Sequence, residues 1–250
     1  MTISLVTIVL NEAKNLPTMM RSAAGVVDEF IIVDTGSVDR TVEIAQELGA
    51  TVLEWGPTDN FSEPRNYGLQ NATGDWVLHL DADDQLTSWG RLEVKALVQQ
   101  PLRDLTGYCF QIKEVCARPF IAPSSGRLFP NQWHLRYKGH VHMTIRDMLN
   151  GNEKWCLVTG GPHIEHSGYA DPYILRKKLE RNLRLLQLDD PEDPDTSYYL
   201  AITYKDLGYT DNADLWARRA LSTTRPPWVE ATLRSCLWGR ELKVSWLNGH

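Results

Sequence analysis

Residues 76–84 read WVLHLDADD, and this stretch decides the interpretation of the chain. Its first part, Trp76–Leu80, is apolar apart from one histidine, which predicts a buried strand. Side chains alternate along an extended segment, so Asp81 and Asp83 are expected on the same side. Two carboxylates at a strand end repel unless a cation joins them, and oxygen ligands suit Mg²⁺ or Mn²⁺. When the triplet Asp81-Ala82-Asp83 is considered alone, a solvated acidic turn is the favoured interpretation, because this pattern often occurs by chance.

The residues before this stretch alternate between apolar runs and helical patterns. Apolar runs at Ile3–Val9, Phe30–Val33 and Thr51–Leu53 predict three further strands, and 62–69 is predicted to be helical. Strands that alternate with helices at this spacing favour βαβ units on a mostly parallel sheet. The predicted fold class is therefore α/β.

Polar clusters follow three of the predicted strands. They are Asn11-Glu12, residues 34–37 (DTGS) and residues 81–84 (DADD). Ligands of open α/β sheets bind beyond the carboxyl ends of the strands, where all three clusters are expected. This repeated placement predicts a binding site at that edge of the sheet.

The chain changes character twice after this region. Short strand-like pieces with Pro and Gly turns fill residues 105–168, including 107–115, 126–129, 134–137, 140–145 and 155–158. From Asp171 onward, leucines recur at helical spacing, and residues 200–220 match the spacing of one degenerate tetratricopeptide hairpin; a plain helical hairpin is the alternative. The predicted domains are 1–170 and a small all-helical region, 171–250.

Composition excludes several classes of protein. The 250 residues are 42% apolar and 23% charged, which excludes a disordered tail, a collagen-like rod and a membrane bundle. The longest apolar run, Ile3–Leu10, is shorter than the ~20 residues of a membrane span, so no transmembrane segment is predicted. The net charge of −6 disfavours general nucleic-acid binding. Four cysteines without a CxxC pair predict free thiols and a cytoplasmic location.

The polar motifs of the first half resemble those of family 2 glycosyltransferases with the GT-A fold. The resemblance rests on Asn11-Glu12, residues 34–41 (DTGSVDRT), Arg65-Asn66 and residues 74–76 (GDW), in this order before the acidic triplet. It covers residues 3–84 strongly and 105–170 more loosely. It implies a GT-A nucleotide-sugar-binding domain with a mixed, mostly parallel sheet.

The resemblance also implies roles for individual residues. The implied metal ligands for Mn²⁺ or Mg²⁺ are Asp81, Asp83 and His166. The nucleotide-sugar donor, favoured as a UDP-sugar, is expected to meet Asn11, Glu12, Asp34, Gly36, Ser37, Arg65, Asp81, Ala82 and Arg127. A helix cap and turn is the structural alternative for Asp34 and Ser37, and both roles can hold together.

Three downstream segments extend the resemblance but leave the general base open. They are residues 127–129 (RLF), 139–142 (GHVH) and 164–169 (IEHSGY). Relatives often carry Glu after the GHVH element, whereas this chain has Met143, which cannot act as a base. The expected catalytic residues are His142 and Glu165, with His140 and Asp147 as further candidates.

The resemblance implies a metal-dependent, inverting glycosyltransferase, with a retaining outcome not excluded. A nucleotidyltransferase is the alternative enzyme, disfavoured because no Gly-rich phosphate loop follows the first strand; a non-catalytic scaffold is the third hypothesis. The acceptor stays open among peptides, glycans, lipids and modified nucleobases, so nucleic acid is expected only as an acceptor.

The helical region is a candidate homodimer contact or acceptor-docking face through its aromatic residues, Tyr198, Tyr199, Tyr204, Trp216 and Trp228. Its basic segment, 176–184, is interpreted as a solvated helix face rather than an anion site.

Overall fold

The computed structural model describes residues 1–102, 105–115, 120–151, 153–167 and 172–222, together with residues 230, 233 and 234. It divides into two compact units. The first unit comprises Met1–Lys138 and Met143–Pro172, and the second comprises Gly139–His142 and Tyr173–His250. The short segment 139–142 therefore belongs with the C-terminal helices, although the sequence places it inside the first predicted domain.

A mixed nine-stranded sheet forms the first unit, with the strand order β3-β2-β1-β4-β7-β6-β11-β5 and with β10 paired to β6. A separate two-stranded ribbon joins β8 and β9. The strands are β1 (Ile3–Val9), β2 (Glu29–Asp34), β3 (Thr51–Glu54), β4 (Trp76–His79), β5 (Asp84–Leu86), β6 (Gly107–Glu114), β7 (Phe120–Pro130), β8 (Leu135–Lys138), β9 (Thr144–Asp147), β10 (Trp155–Leu157) and β11 (Ile164–His166). The helices are α1 (Leu16–Ala23), α2 (Thr41–Glu47), α3 (Ser62–Asn71), α4 (Ser88–Leu97), α5 (Pro172–Leu186), α6 (Pro194–Asp206) and α7 (Thr210–Leu221).

Strand β1 lies at the centre of the parallel part of the sheet. It pairs in parallel with β2 and β4, and β2 pairs in parallel with β3. Val9 is the register partner of Asp34, so the loops that follow β1 and β2 start side by side. Apolar side chains cover both faces: Leu5 and Leu78 lie in one buried cluster and Val6 and Val77 in the other. A strand buried on both faces requires a near-continuous apolar sequence, which β1 has.

The return of the chain through β11 brings residue 166 next to residue 84. β11 runs antiparallel to β5 and parallel to β6. His166 is the register partner of Asp84 on one side and of Glu114 on the other. A residue far along the sequence thereby joins the acidic cluster. The α/β architecture with a mixed, mostly parallel sheet and a helical C-terminal region confirms the fold class predicted from the sequence.

The segment around residue 140 corrects one local prediction. Residues 140–145 are expected to be extended, with His140 and His142 on one face, but only the ribbon strand starting at Thr144 forms there. The ribbon pairs Lys138 with Thr144 and leaves 139–143 as its connection. This connection bends, with φ of +99° at Gly139 and +51° at His142. Alternation of side chains does not apply to such a segment.

The second unit is built on a helical hairpin. α6 and α7 pack through small buried residues, Ala201, Ala217 and Ala220. The turn between them contains Gly208 in the left-handed conformation at φ +86°, which glycine adopts at helix ends without steric cost. Of the leucines that recur at helical spacing on α5, Leu186 is fully buried, whereas Leu175, Leu179 and Leu183 are half-buried. The adjacent Leu185 is also fully buried. Trp228 lies outside the described residues.

His142 is a half-buried side chain of this second unit. Its ring stacks on Tyr199 with centroids 4.5 Å apart and an interplanar angle of 7°, and its Nε2 lies 3.3 Å from Asn182 Nδ2. Burial lowers the pKa of His142 to about 4, and the nearby charge of Arg181 acts in the same direction. The neighbouring His140 is held by Asp189, whose Oδ1 lies 2.7 Å from His140 Nδ1.

Two further observations concern the whole described chain. Cys109 and Cys156 are free thiols, while Cys116 and Cys236 lie outside the described residues. Among the described helices, none combines the length and apolar character that a membrane crossing needs.

Gly90→Ala is expected to destabilise the first unit. A Cβ at Gly90 in α4 would lie 2.1 Å from the carbonyl oxygen of His163, a backbone atom that cannot rotate away. The clash costs about 1–3 kcal/mol, which exceeds the helix-propensity gain of about 1 kcal/mol from Gly to Ala. Urea unfolding measures the change, with the exposed Lys95→Ala on the same helix as control. Equal midpoints for wild type and Gly90→Ala would contradict the close approach.

Acid is expected to weaken the protein partly through His142. In the unfolded chain this residue has an ordinary pKa near 6.5, and in the folded chain the pKa is about 4. The unfolded state therefore binds more protons between these values, so stability is lost as the pH falls from about 6.5 to 4. In His142→Gln, unfolding free energies measured across this pH range should fall less steeply than in wild type. Parallel curves for the two proteins would show that His142 does not titrate this way.

Candidate active site

The loops that follow β1 and β2 are tied together by side chains of both. The amide N–H of Asn11 donates to Ser37 Oγ at 2.8 Å, and the amide of Val38 donates to Asn11 Oδ1 at 2.8 Å. Asn11 adopts φ +56°, a left-handed conformation that asparagine tolerates better than most residues. The amide of Glu12 donates to Thr41 Oγ1 at 2.7 Å, at the start of α2. These hydrogen bonds fix the two loops, which carry predicted donor-binding residues, relative to each other.

Asp34 shapes the second of these loops. Its carboxylate accepts the amide N–H groups of Gly36 and Ser37 at 3.0 to 3.2 Å, and the residue is buried. Gly36 has φ +104°, and a Cβ there would lie 3.2 Å from Pro57, so the turn requires glycine. The turn alternative considered for Asp34 and Ser37 is therefore present in the structure. One face of the loop stays open, since Val38 is 92% exposed.

Asp81 lies between two buried arginines. Arg65 Nη2 donates to its Oδ1 at 2.7 Å, and Arg127 donates to its Oδ2 at 3.2 and 3.3 Å. Burial alone would raise the pKa of Asp81, but the charges of Arg127 and Arg65 hold it well below the usual range. Both arginines keep a buried Nε that has no hydrogen-bond partner among the described residues. Ala82, the next predicted donor residue, is buried.

A buried histidine completes this arrangement. His79 on β4 contacts the guanidinium of Arg65, and its Nε2 lies 3.3 Å from Asp81 Oδ1. Burial lowers the pKa of His79 to about 4, and the charge of Arg65 adds to the effect. The ring is therefore neutral at physiological pH, so the two arginines face Asp81 without a third positive charge. The sequence indicates His79 only as part of a predicted strand and predicts no role for it in the site.

Asp83, Asp84 and His166 form a compact group of ligand atoms. One nitrogen or oxygen from each lies within 4.8 Å of the other two. His166 Nδ1 lies 2.8 Å from Asp84 Oδ1 and 3.5 Å from Asp83 Oδ1. Burial alone would lower the pKa of His166, but its hydrogen bond to Asp84 and the charges of Asp83 and Asp84 raise it to about 9. The group thus attracts positive charge.

Asp84 connects this group to the arginines. It is fully buried, and its Oδ2 accepts the amide N–H of Asp81 at 2.8 Å and lies 3.3 Å from Arg127 Nη1. Because Oδ1 of the same carboxylate binds His166, Asp84 fixes which nitrogen of that ring turns toward a ligand. One continuous polar network therefore joins five side chains, those of Arg65, Asp81, Arg127, Asp84 and His166.

Sequence reasoning missed Asp84 because it assumed an extended chain after β4. The structure instead has a turn, in which the amide of Asp84 donates to the carbonyl of Asp81 at 3.0 Å. In a turn, side chains do not alternate as they do in a strand, so Asp81 and Asp83 need not lie on the same side. The ligand atom of Asp84 instead lies close to that of Asp83. Four acidic or small residues in a row, DADD, are compatible with such a turn, but the residues alone do not show it.

Glu114 is a second residue that the sequence did not indicate. It ends β6 beside His166 and is half-buried, and its Oε2 has no partner among the described residues. Burial raises the pKa of its carboxyl group, while the charge of His166 opposes this shift. Glu114 therefore adds a further carboxylate at the edge of the network.

The two expected catalytic residues occupy different surroundings. Glu165 lies on β11 next to His166 and accepts a hydrogen bond from Lys113 Nζ at 2.7 Å, with about 40% of each side chain exposed. Alternation along β11 directs Glu165 and His166 to opposite faces. His142 belongs to the second unit, where its half-buried ring stacks on Tyr199.

Comparison with known proteins finds a family match within the first unit. Residues 4–107 match the model of Glycosyl transferase family 2. A TPR repeat-containing protein of Synechococcus elongatus is 31% identical over 233 residues, covering 90% of this chain and 57% of that protein. An uncharacterized glycosyltransferase of Rickettsia felis is 36% identical over 85 residues, which are 34% of this chain and 30% of that protein. The chain thus spans less than two thirds of the length of these relatives.

A solved structure shares the fold over almost the whole chain. TarS 1-349 of S. aureus, in complex with UDP-GlcNAc, superimposes with a TM-score of 0.57 and covers 94% of this chain and 87% of that chain, at 14% sequence identity. At this identity the likeness shows the fold alone. The family match and the shared fold confirm the resemblance found in the sequence. Residues 4–107 thus match the family 2 glycosyltransferases, and the chain shares its fold with TarS 1-349.

Proposed function

We propose that this protein is a metal-dependent, inverting glycosyltransferase that moves a sugar from a UDP-sugar to a nucleophilic acceptor. The observation that carries the proposal is the group formed by Asp83, Asp84 and His166 at the end of β4, joined through Asp84 to the arginine pair. Residues 1–170 are proposed as the catalytic domain and 171–250 as a helical extension. The free thiols Cys109 and Cys156 fit a reducing, cytoplasmic compartment.

The ligand atoms of the group suit a hard divalent cation. Two carboxylates and one imidazole offer the oxygen and nitrogen donors that Mn²⁺ and Mg²⁺ accept. Asp83 and His166 are the proposed ligands, and Asp84 orients the ring of His166 through its hydrogen bond. The Asp81 oxygens face Arg65 and Arg127, so its proposed metal role requires one of these contacts to open. Such a cation would neutralise the negative charge of the departing diphosphate.

The arginine pair is proposed to bind the donor diphosphate. Guanidinium groups match phosphate oxygens geometrically, and both arginines are buried and already oriented by Asp81. No reorganisation is then needed when charge develops on the leaving group. The loops carrying Asn11, Glu12 and Asp34 are proposed to hold the nucleoside, with Gly36 and Ser37 allowing close approach of the backbone. Ala82 is proposed to line the donor site through its backbone.

Glu165 and His142 are the two proposed general bases, and their side chains differ in accessibility. A base must reach the acceptor and accept its proton. About 40% of the Glu165 side chain is exposed, whereas the ring of His142 is stacked on Tyr199 and lies against Asn182. An acceptor that ionises near neutral pH, such as a thiol, would depend less on either residue.

Product analysis tests the proposal against its alternatives. UDP-GlcNAc is the first donor to try, since TarS 1-349 was solved with it. The full chain is incubated with UDP-sugars and Mn²⁺, alone and with panels of peptide, glycan, lipid and modified-nucleobase acceptors. Release of UDP supports a transferase, pyrophosphate indicates a nucleotidyltransferase, and no turnover of any donor indicates a scaffold. Light scattering of the same sample tests the proposed homodimer.

Asp83→Asn is expected to abolish metal-dependent turnover while the protein stays folded. Loss of one carboxylate ligand typically costs 10-fold or more in metal affinity. Thermal melts with Mn²⁺ and UDP together should show stabilisation in wild type that is absent in the variant. Glu47→Gln, an exposed carboxylate on α2, serves as the matched control and should behave as wild type. Unchanged turnover in Asp83→Asn would refute the metal assignment.

Asp34→Ala is expected to raise the KM for the donor more than it lowers kcat. The substitution removes the acceptor for two loop amides and so loosens the nucleoside loop without touching the metal group. Steady-state kinetics with a varied UDP-sugar should show a KM for Asp34→Ala that is about tenfold that of wild type. Asp34→Asn keeps one acceptor oxygen, so its KM should lie between those of wild type and Asp34→Ala. A fall in kcat at constant KM would place Asp34 elsewhere in the mechanism.

A further inference from the structure

Glu114, His166 and Asp84 form a row across three neighbouring strands. His166 is the register partner of Glu114 on β6 and of Asp84 on β5. Register partners point to the same face of a sheet, so the three side chains project side by side. The backbone extends this pairing past the end of β6, because the amide of Val115 donates to the His166 carbonyl at 2.7 Å. The carboxyl group of Glu114 is therefore fixed beside the group that contains His166 and Asp84.

One oxygen of the Glu114 carboxyl group is buried without a protein partner. Its Oε2 has no hydrogen-bond partner among the described residues. Burial raises the pKa of this carboxyl group; the charge of His166 opposes the shift, and those of Asp84 and Asp83 add to it. Nearly all buried polar atoms in proteins form a hydrogen bond, either with the protein or with a bound water or ion. The surroundings of Oε2 therefore point to a partner that belongs to the bound state of the site.

Glu114 lies next to the compact group of ligand atoms but outside it. The ligand atoms of Asp83, Asp84 and His166 lie within 4.8 Å of one another, and Glu114 is not a member of that group. A cation held by a few protein side chains, Mg²⁺ above all, keeps several of its water molecules. A carboxylate at the border of the ligand group is placed to accept a hydrogen bond from such a water. Its position suits this contact better than a direct bond to the ion.

We propose that Glu114 is a positioning residue for the divalent cation, which it holds by accepting a hydrogen bond from a water molecule of the coordination shell. The inference rests on the proposed function, because it presupposes a cation bound by Asp83 and His166. The hydrogen bond gives the buried Oε2 its partner, and the negative charge of Glu114 adds to the attraction for the cation. Residues that act on a metal through its ligands in this way typically change metal affinity 10- to 100-fold when they are replaced.

Binding of Mn²⁺ to the full chain tests the inference without any turnover. The electron paramagnetic resonance signal of free Mn²⁺ is titrated with protein, in the presence and absence of UDP. Glu114→Leu removes both carboxylate oxygens at similar volume, so the Kd for Mn²⁺ should rise about tenfold. Glu114→Gln keeps one acceptor oxygen, so its Kd should lie between those of wild type and Glu114→Leu. Glu47→Gln, at an exposed position of α2, should bind as wild type.

Thermal unfolding separates this role from a purely structural one. Mn²⁺ and UDP together should raise the melting temperature of Glu114→Leu less than that of wild type, because the variant binds the cation more weakly. The inference is overturned if Glu114→Leu is less stable than wild type without metal but gains as much from Mn²⁺ and UDP, since Glu114 would then only support the fold.

The same titrations distinguish failure of this inference from failure of the proposed function. If wild type binds no Mn²⁺, with or without UDP, the metal assignment is wrong and the inference falls with it. If wild type binds Mn²⁺, Asp83→Asn does not, and Glu114→Leu binds as wild type, only the role of Glu114 is wrong. Turnover of a UDP-sugar by Glu114→Leu should recover as Mn²⁺ is raised to saturation. A loss of turnover that persists at saturating Mn²⁺, with an unchanged Kd for the ion, would overturn the inference and indicate that Glu114 acts on the acceptor.

Discussion

The buried carboxylate of Asp84 is the interaction on which the candidate site depends. It receives the amide of Asp81 and the imidazole of His166 and lies beside the guanidinium of Arg127, so three segments distant in sequence meet at one side chain. A buried charge left without its partners costs several kcal/mol, which makes these contacts mutually dependent. The turn after β4, the end of β11 and the end of β7 are consequently positioned together, and the network carries nearly balanced charge.

The sequence predicted the parallel half of the fold well because its signals are local. β1 is a mostly apolar run interrupted only by Ser4 and Thr7, and the helices between the strands have their own periodicity and end signals. The loops with Asn11, Asp34 and Ser37 follow strands directly, so their place at the sheet edge follows from strand direction alone. The residues alone do not show which strands pair when those strands are far apart in the sequence. The neighbours of β11 on both sides, and hence the meeting of His166 with Asp84, come from tertiary structure.

The remaining differences arise where the backbone departs from regular geometry. Asp84 was overlooked because a turn replaces the extended segment assumed after β4. Alternation of side chains does not predict the environment of His142, because the segment bends at Gly139 and at His142 itself. In both segments the residue types indicate a functional site, but the two-residue alternation of an extended strand does not apply. Positive φ at a histidine is rare enough that no sequence pattern would have indicated it.

The assignment of Gly139–His142 to the helical unit has a consequence for protein engineering. The chain passes from the first unit to the second at residue 139, returns at 143, and passes over again at 173. A single cut before α5 therefore removes Asn182, Asp189 and Tyr199, the supports of His140 and His142, while leaving those two histidines attached to the ribbon. Chimeras that exchange the helices between relatives should exchange the tetrapeptide with them, because the two pieces form one folding module encoded at two places in the gene.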